Sequence, residues 1–273
     1  MKYSIIGSLL VLSICGQAHA ADPRSAIGTF NSGNWYLDMD NSYSWTSADE
    51  IHHLGSAGEQ PYVISESQCA LPGVTAAIGT VHDGNHWFLS KNDLDWDNSS
   101  DPLNDFFFGV SPMKPAIWNG VPVAFMNGTF YVDWNGDHVW DNGDATLPFG
   151  GNNGMYPVVG IWTTNGTERL GMYDPSSNWW FVDSNNSNSF DSGDARYHFG
   201  FSPSDIPVVI FFNQTFSSRI GVFNSGNWYI DANGNGKWDG TAGGDAQWQL
   251  GNPGDVPVVA TYNRSWRSKG CDL

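Results

Sequence analysis

Short apolar runs of three to six residues alternate with clusters of Gly, Asn, Asp and Ser from about residue 26 onward. No stretch carries apolar residues at helical spacing, so the pattern reads as β-structure throughout. The runs recur in one order. A strand of the type Ile27-Gly28-Thr29-Phe30 opens each copy, with counterparts beginning at Ile78, about Pro122, Leu170 and Ile220. A Gly/Asn/Ser turn and an aromatic strand follow: Trp35-Tyr36-Leu37, Trp87-Phe88-Leu89, Phe130-Tyr131-Val132, Trp180-Phe181-Val182 and Trp228-Tyr229-Ile230. After an acidic loop and a weaker segment, the copy closes on proline and an apolar run at Pro61, Pro115, Pro157, Pro207 and Pro257. The period is roughly 48 residues, with four short strands per copy, which is the size of a propeller blade. The expected fold is all-β, a single five-bladed β-propeller over residues 21–273, with an open β-solenoid as the alternative.

The chain ends favour closure. The first copy lacks a Pro-apolar strand before Ile27, and the last copy has a surplus one at 257–262. If that strand is innermost in each blade, the C-terminal one pairs with residues 27–30 and completes the first blade. Asn119-Gly120, a two-residue hairpin signal, joins the Pro115 strand directly to the next one, which supports that pairing.

Residues 1–20 read as a secretory leader: Lys2, an apolar core from Ile5 to Ile14 too short to span a bilayer, and Ala18-His19-Ala20 before the cleavage point. Cys15 offers a lipoprotein alternative, disfavoured by the bulky Ile14 before it. The expected location is therefore secreted or periplasmic. The net charge of −17, one unit more negative without Lys2, repels phosphate backbones and argues against nucleic acid as a partner. No segment of the mature chain suggests membrane insertion. Cys69 and Cys271 each follow a closing strand, of the first and last copies. In a closed ring these strands are neighbours, and a Cys69–Cys271 disulfide is expected.

The acids recur at fixed places. In the third copy Asp133, Asn135, Asp137, Asp141 and Asp144 fall at loop positions 1, 3, 5, 9 and 12, the side-chain positions of a calcium-binding EF-hand loop, although no helices flank it. The fourth copy keeps the spacing with Asp183, Asn185, Ser187, Asp191 and Asp194. The fifth has Asp231, Asn233, Asn235 and Asp239, and three inserted residues displace its last acid to Asp245. The first has Asp38, Asp40, Ser42 and Asp49, with Thr46 at position 9, whereas the second, with Ser90 first and Asn92, Asp93, Asp95 and Asp97 crowded after it, is not counted as a site. Calcium (Ca2+) needs six to eight oxygens, which such a loop can supply, and the Asn and Ser substitutions imply weak affinity. The competing explanation is that Asp, Asn and Gly are what tight turns prefer.

These Asp-x-Asn-x-Asn-Gly-x-Trp-Asp loops, together with the Asp-x-Pro-Val-Val runs at 205–209 and 255–259, resemble the FG-GAP and VCBS propeller repeats of secreted bacterial proteins, relatives of the integrin α-chain head. The resemblance covers residues 27–262 and implies calcium in the loops. Here, however, the loop follows the third strand of a copy, whereas the integrin loop lies between the first two. Such repeats serve adhesins, lectins and enzyme appendages.

For function, the inner strands carry no Asp or Glu, whereas a propeller glycosidase needs paired carboxylates in its channel. His52 and His53 are adjacent and face opposite ways, and no nucleophile or phosphate-binding motif is present. A non-enzymatic binding module fits better. Asn34-Trp35 and Asn227-Trp228 in identical Asn-Ser-Gly-Asn-Trp turns, with Asn85 and Trp87 in a variant, are the candidate sugar-binding residues, since indole faces beside amides suit glycans. That reading requires exposed Trp faces. Buried ones favour a scaffold that binds a surface protein through its rim.

Overall fold

The computed structural model describes residues 25–65, 76–90, 104–109, 111–163, 166–212 and 217–260. The leader, Cys15, Cys69, Cys271 and the second-copy residues Asn92, Asp93, Asp95 and Asp97 lie outside them. The chain opens with β1 (Ala26–Asn31), β2 (Asn34–Leu37) and β3 (Glu50–His53). Three complete four-stranded units follow: β4 (Gln60–Ser65) to β7 (Asn104–Phe107) through β5 (Ala76–His82) and β6 (His86–Leu89); β8 (Lys114–Trp118) to β11 (Ala145–Pro148) through β9 (Val121–Met126) and β10 (Thr129–Val132); and β12 (Tyr156–Gly160) to β15 (Ala195–His198) through β13 (Arg169–Asp174) and β14 (Trp179–Val182). The last unit holds β16 (Ile206–Ile210), β17 (Arg219–Asn224), β18 (Asn227–Ile230) and β19 (Ala246–Gln249), and β20 (Val256–Ala260) ends the series.

Each unit is one antiparallel sheet, and the five sheets form a ring, a five-bladed β-propeller. β20 pairs with β1 in the register Ala26↔Ala260 to Phe30↔Val256, so the first blade is built from both ends of the chain. The five Pro-apolar strands are the innermost ones: β4 lies next to β8, β8 to β12, β12 to β16, β16 to β20 and β20 to β4. Proline costs little there, because it lacks only a donor, and the inner edge needs none. Asn119 and Gly120 both take positive φ and join β8 to β9 by a hairpin, with Trp118 opposite Val121. Among the described residues no helix is long and apolar enough to cross a membrane.

Alternation along the third strand of each blade builds the core. In β2, β6, β10 and β18 the second and fourth residues are buried and the others half-buried. Trp35, Trp87, Trp180 and Trp228 are fully enclosed, and each indole N–H donates to the backbone carbonyl that follows the fourth strand: Leu54 (3.0 Å), Phe108 (2.9 Å), Phe199 (2.9 Å) and Leu250 (2.8 Å). In the third blade Phe130 fills this place without a polar handle. The Ser32-Gly33 and Ser225-Gly226 turns that precede two of these strands run at positive φ. A Cβ on Gly33 or Gly226 would collide with the carbonyl of Gly55 or Gly251, so the turn both needs left-handed backbone and presses against its neighbour.

Candidate functional site

The acidic loops join the third and fourth strands of the blades, and the four described ones share a single construction. Each opens on a buried aspartate, Asp38, Asp133, Asp183 or Asp231. Positions 4 and 6 of the loop take left-handed backbone: Asn41 and Tyr43, Gly136 and His138, Asn186 and Asn188, Gly234 and Gly236. That conformation turns consecutive N–H groups inward onto the first carboxylate. Asp38 accepts from the N–H of Ser42 (3.1 Å) and Tyr43 (2.8 Å), Asp133 from Gly136 (2.9 Å) and His138 (3.0 Å). Asp183 accepts from Asn186, Ser187 and Asn188, and Asp231 from Gly234, Asn235 and Gly236.

The last acid ties the loop shut. Asp49, Asp144 and Asp194 each accept from the N–H at position 2 with one oxygen and from the N–H at position 9 with the other. Positions 1 and 12 therefore serve as hydrogen-bond staples. Their lone pairs are not exhausted by this, because a carboxylate accepts at about four sites.

The loops differ in how their remaining oxygens converge. Among the described residues one group of three acidic side chains brings ligand atoms within 4.8 Å of one another: Asp38, Asp40 and Asp49, in the first blade. The copy-three loop, which matches the calcium spacing best in sequence, forms no such group. Asp137 accepts from Val139 N–H and the Asn135 amide, and Asp141 turns to Gly143 N–H. In the fourth-blade loop Asn185 bonds Asp191, and Ser187 donates to the Ser189 carbonyl.

The fifth-blade loop carries the feature that bears on cation binding. Asp245 is 5% exposed; its Oδ2 accepts from Asp239 N–H (2.5 Å), while its Oδ1 is buried with no partner. A 3-10 turn at Thr241–Gly243, formed by the inserted residues, sets Asp245 apart from its sister acids, and the position-2 N–H of Ala232 bonds Ile230 instead. Burial, with the charge of Asp245 adding to it, holds Asp231 above the usual carboxylate range. Asn233 and Asn235 sit on the rim, Asn235 donating to Asp239. An unpartnered buried carboxylate oxygen beside a second buried acid is costly unless a cation joins them. The donor types, two carboxylates on buried residues, a third on the rim and two amide oxygens, are those calcium takes, but the three carboxylates do not converge within 4.8 Å of one another as those of the first blade do. In the first-blade loop burial likewise raises Asp38, to about 6.

The Trp residues expected to stack on sugars do not do so. Trp35, Trp87 and Trp228 are 0% exposed and wedged in the blade cores, so none presents a ring face to a ligand. Asn34, Asn85 and Asn227 are half-buried turn residues; Asn34 and Asn227 donate back to the carbonyls of Asn31 and Asn224. Rings nearer the surface stand at position 8 of the acidic loops, Trp45 and Trp140 exposed and Phe190 and Trp238 half-buried. Trp45, Trp140, Phe190 and Trp238 each meet an outward aromatic of the preceding strand edge-on: Tyr36 (5.9 Å), Tyr131 (5.5 Å), Phe181 (5.2 Å) and Tyr229 (5.4 Å). Each reaches over the groove toward the preceding blade, where Trp140 meets Phe108, Phe190 meets Phe149 and Trp238 meets Phe199. This recurrence is visible in an alignment of the copies, since the aromatic stands seven residues after the first acid in four of them.

Inside the ring, the Pro-apolar strands enclose a channel of about 230 Å³, lined by Pro61, Pro115, Pro157, Pro207 and Pro257 and their apolar neighbours, with Glu168 as its one carboxylate among the described residues. Comparison of the chain with family models, with curated proteins and with solved structures finds no match in any of the three.

Proposed function

We propose that this protein is a calcium-stabilised binding module of the lectin-like class, exported and acting on carbohydrate at a surface. The observation that carries the reading is the repeated unit of acidic loop and position-8 aromatic. It hangs an indole ring over an inter-blade groove and leaves Trp45 48% and Trp140 45% exposed. Exposed indoles at regular places on a rigid ring suit multivalent capture of a repetitive ligand.

Asp231, Asn233, Asn235, Asp239 and Asp245 would hold one calcium ion, and Asp38, Asp40 and Asp49 a second. The ion's contribution is charge neutralisation and loop stiffening. The chain's own part is to hold the position-8 ring: the staples at positions 1 and 12 fix the loop, and the edge-on contact with the strand aromatic fixes the ring. The loop chemistry also supports placing the repeats with the FG-GAP and VCBS type. The channel supports binding over catalysis, because a glycosidase acts through two carboxylates and the lining offers one among the described residues.

The test is glycan-array binding of the mature chain in calcium and in excess chelator. Selective retention that falls in chelator is the expected result. Silence on the array in calcium refutes the reading and leaves a protein-binding scaffold as the alternative, for which the buried Trp35, Trp87 and Trp228 are equally suited.

A further inference from the structure

The inter-blade grooves are copies of one design, yet they are not equally open. Between the fourth and fifth blades the groove is plugged: Phe201, from a turn one residue longer than its counterpart at 250–255, packs against Tyr229 (4.8 Å) and Trp238 (5.7 Å). Between the second and third blades the groove is open, about 310 Å³, but its lining of Gly109, Met113, Ala124, Met126, Tyr131 and Trp140 offers only the Tyr131 hydroxyl and the Trp140 indole N–H among side-chain hydrogen-bonding groups of the described residues, and no amide.

The groove between the first and fifth blades combines both requirements of a sugar site. Its volume is about 370 Å³, within the range of small-molecule sites. Trp45, Tyr36 and Ile51 form one wall, and Leu250 and Gly251 belong to the facing blade. Gln249 and Asn252 line it with exposed side-chain amides that make no hydrogen bond among the described residues, and Asn252 stands in the turn corresponding to the one that carries the Phe201 plug. Among the described residues no charged side chain lines it, and the net negative charge of the chain disfavours an anionic ligand.

We propose that this groove is a subsite for one neutral pyranose unit, its apolar face stacked on Trp45 and its hydroxyls bonded by the amides of Gln249 and Asn252. The inference rests on the binding-module reading and adds to it the site, the residues and the ligand class. An indole supplies stacking, and amides supply paired donors and acceptors that match adjacent hydroxyls.

The experiment titrates the mature chain, in calcium, with neutral hexasaccharides of glucose, mannose, galactose and N-acetylglucosamine, followed by calorimetry and Trp fluorescence. Trp45→Ala removes the platform. Asn252→Phe removes one amide and brings an aromatic ring to the groove from the turn in which, one residue longer, the Phe201 plug stands; it serves as the arm that leaves the acidic loop intact, checked by an unchanged melting temperature. Both are expected to weaken the bound saccharide about tenfold or more, with Trp45→Phe intermediate and Trp179→Ala, at an exposed ring away from the acidic loops, within about twofold of wild type. Wild-type affinity in both Trp45→Ala and Asn252→Phe overturns the subsite while leaving the binding-module reading standing. Tighter binding of sialylated or sulfated saccharides than of neutral ones overturns the ligand class. A wild-type chain that binds none of the saccharides overturns both readings.

Discussion

Replacing Asp245 by Asn separates the cation-binding reading of the loops from the hydrogen-bond reading. In the absence of a cation, Oδ1 of Asp245 is buried without a partner and its charge adds to the pressure that burial puts on Asp231. Asparagine keeps the oxygen that accepts from Asp239 N–H and replaces the unpartnered carboxylate oxygen with a neutral group that can donate to Asp231. In chelator, then, the variant should melt at or above the wild type. Calcium reverses the order. A weak extracellular-grade site, with Kd on the order of 0.1–1 mM, filled at about 10 mM calcium stabilises the folded state by about 1.4–2.7 kcal/mol. For a domain of this size that is a rise of about 3–10 °C in the wild type. The variant should lose that increment and keep only the rise that the site of Asp38, Asp40 and Asp49 supplies. The assay is differential scanning calorimetry of both proteins across a calcium titration at constant ionic strength. A wild-type transition that ignores calcium, or an Asp245→Asn variant that keeps the full rise, refutes the assignment and leaves the acids as staples alone.

Further outcomes are expected elsewhere. Trp228→Phe strips the Leu250 carbonyl of its donor and should cost about 1–3 kcal/mol, whereas Trp228→Ala should cost about 3–5 kcal/mol, both read from denaturant unfolding. Gly33→Ala forces a positive φ and a backbone collision, and should lower stability more than Gly58→Ala, which also has positive φ but open space around it. Asp38, held at about 6 by burial against an unfolded value near 3.8, gives stability that is present at low pH and lost as pH rises through about 6. In chelator, wild type should therefore lose stability relative to Asp38→Asn between about pH 4 and 7, measured by paired melts. A constant gap would contradict the burial assignment.

The architecture was legible because proline and glycine punctuate it. Prolines at 61, 115, 157, 207 and 257 marked the inner strands, and the surplus strand at the C-terminus marked the closure with β1. The site was misread at Trp35, Trp87 and Trp228 for a physical reason. Trp is both a core residue and a sugar platform, and composition does not separate the two. Alternation does, since each of these Trp residues stands two before Leu37, Leu89 or Ile230, on the face that points inward. The neighbours Tyr36, Tyr131, Phe181 and Tyr229 face outward and meet the loop aromatics. The acidic loops stayed ambiguous because a turn staple and a cation ligand demand the same side chain at the same place. The orphaned oxygen of Asp245 and the convergence of Asp38, Asp40 and Asp49 are what bear on the choice, and the former depends on three inserted residues whose conformation no spacing rule conveys.

The pairing of β20 with β1 makes the first blade the last to be finished. Until residues 256–260 exist and arrive, β1 keeps an unpaired inner edge that can recruit any other strand. Bringing the two together closes a loop spanning nearly the whole domain, so the reward for ordering the N-terminal copy comes only when the entire chain has been ordered. A molecule truncated before Val256 should behave as four blades with an adhesive margin, prone to self-association. A permuted chain whose new ends fall between two blades, in the turn from β3 to β4, with the old ends linked, should instead fold faster, because each blade would then be assembled from nearby sequence.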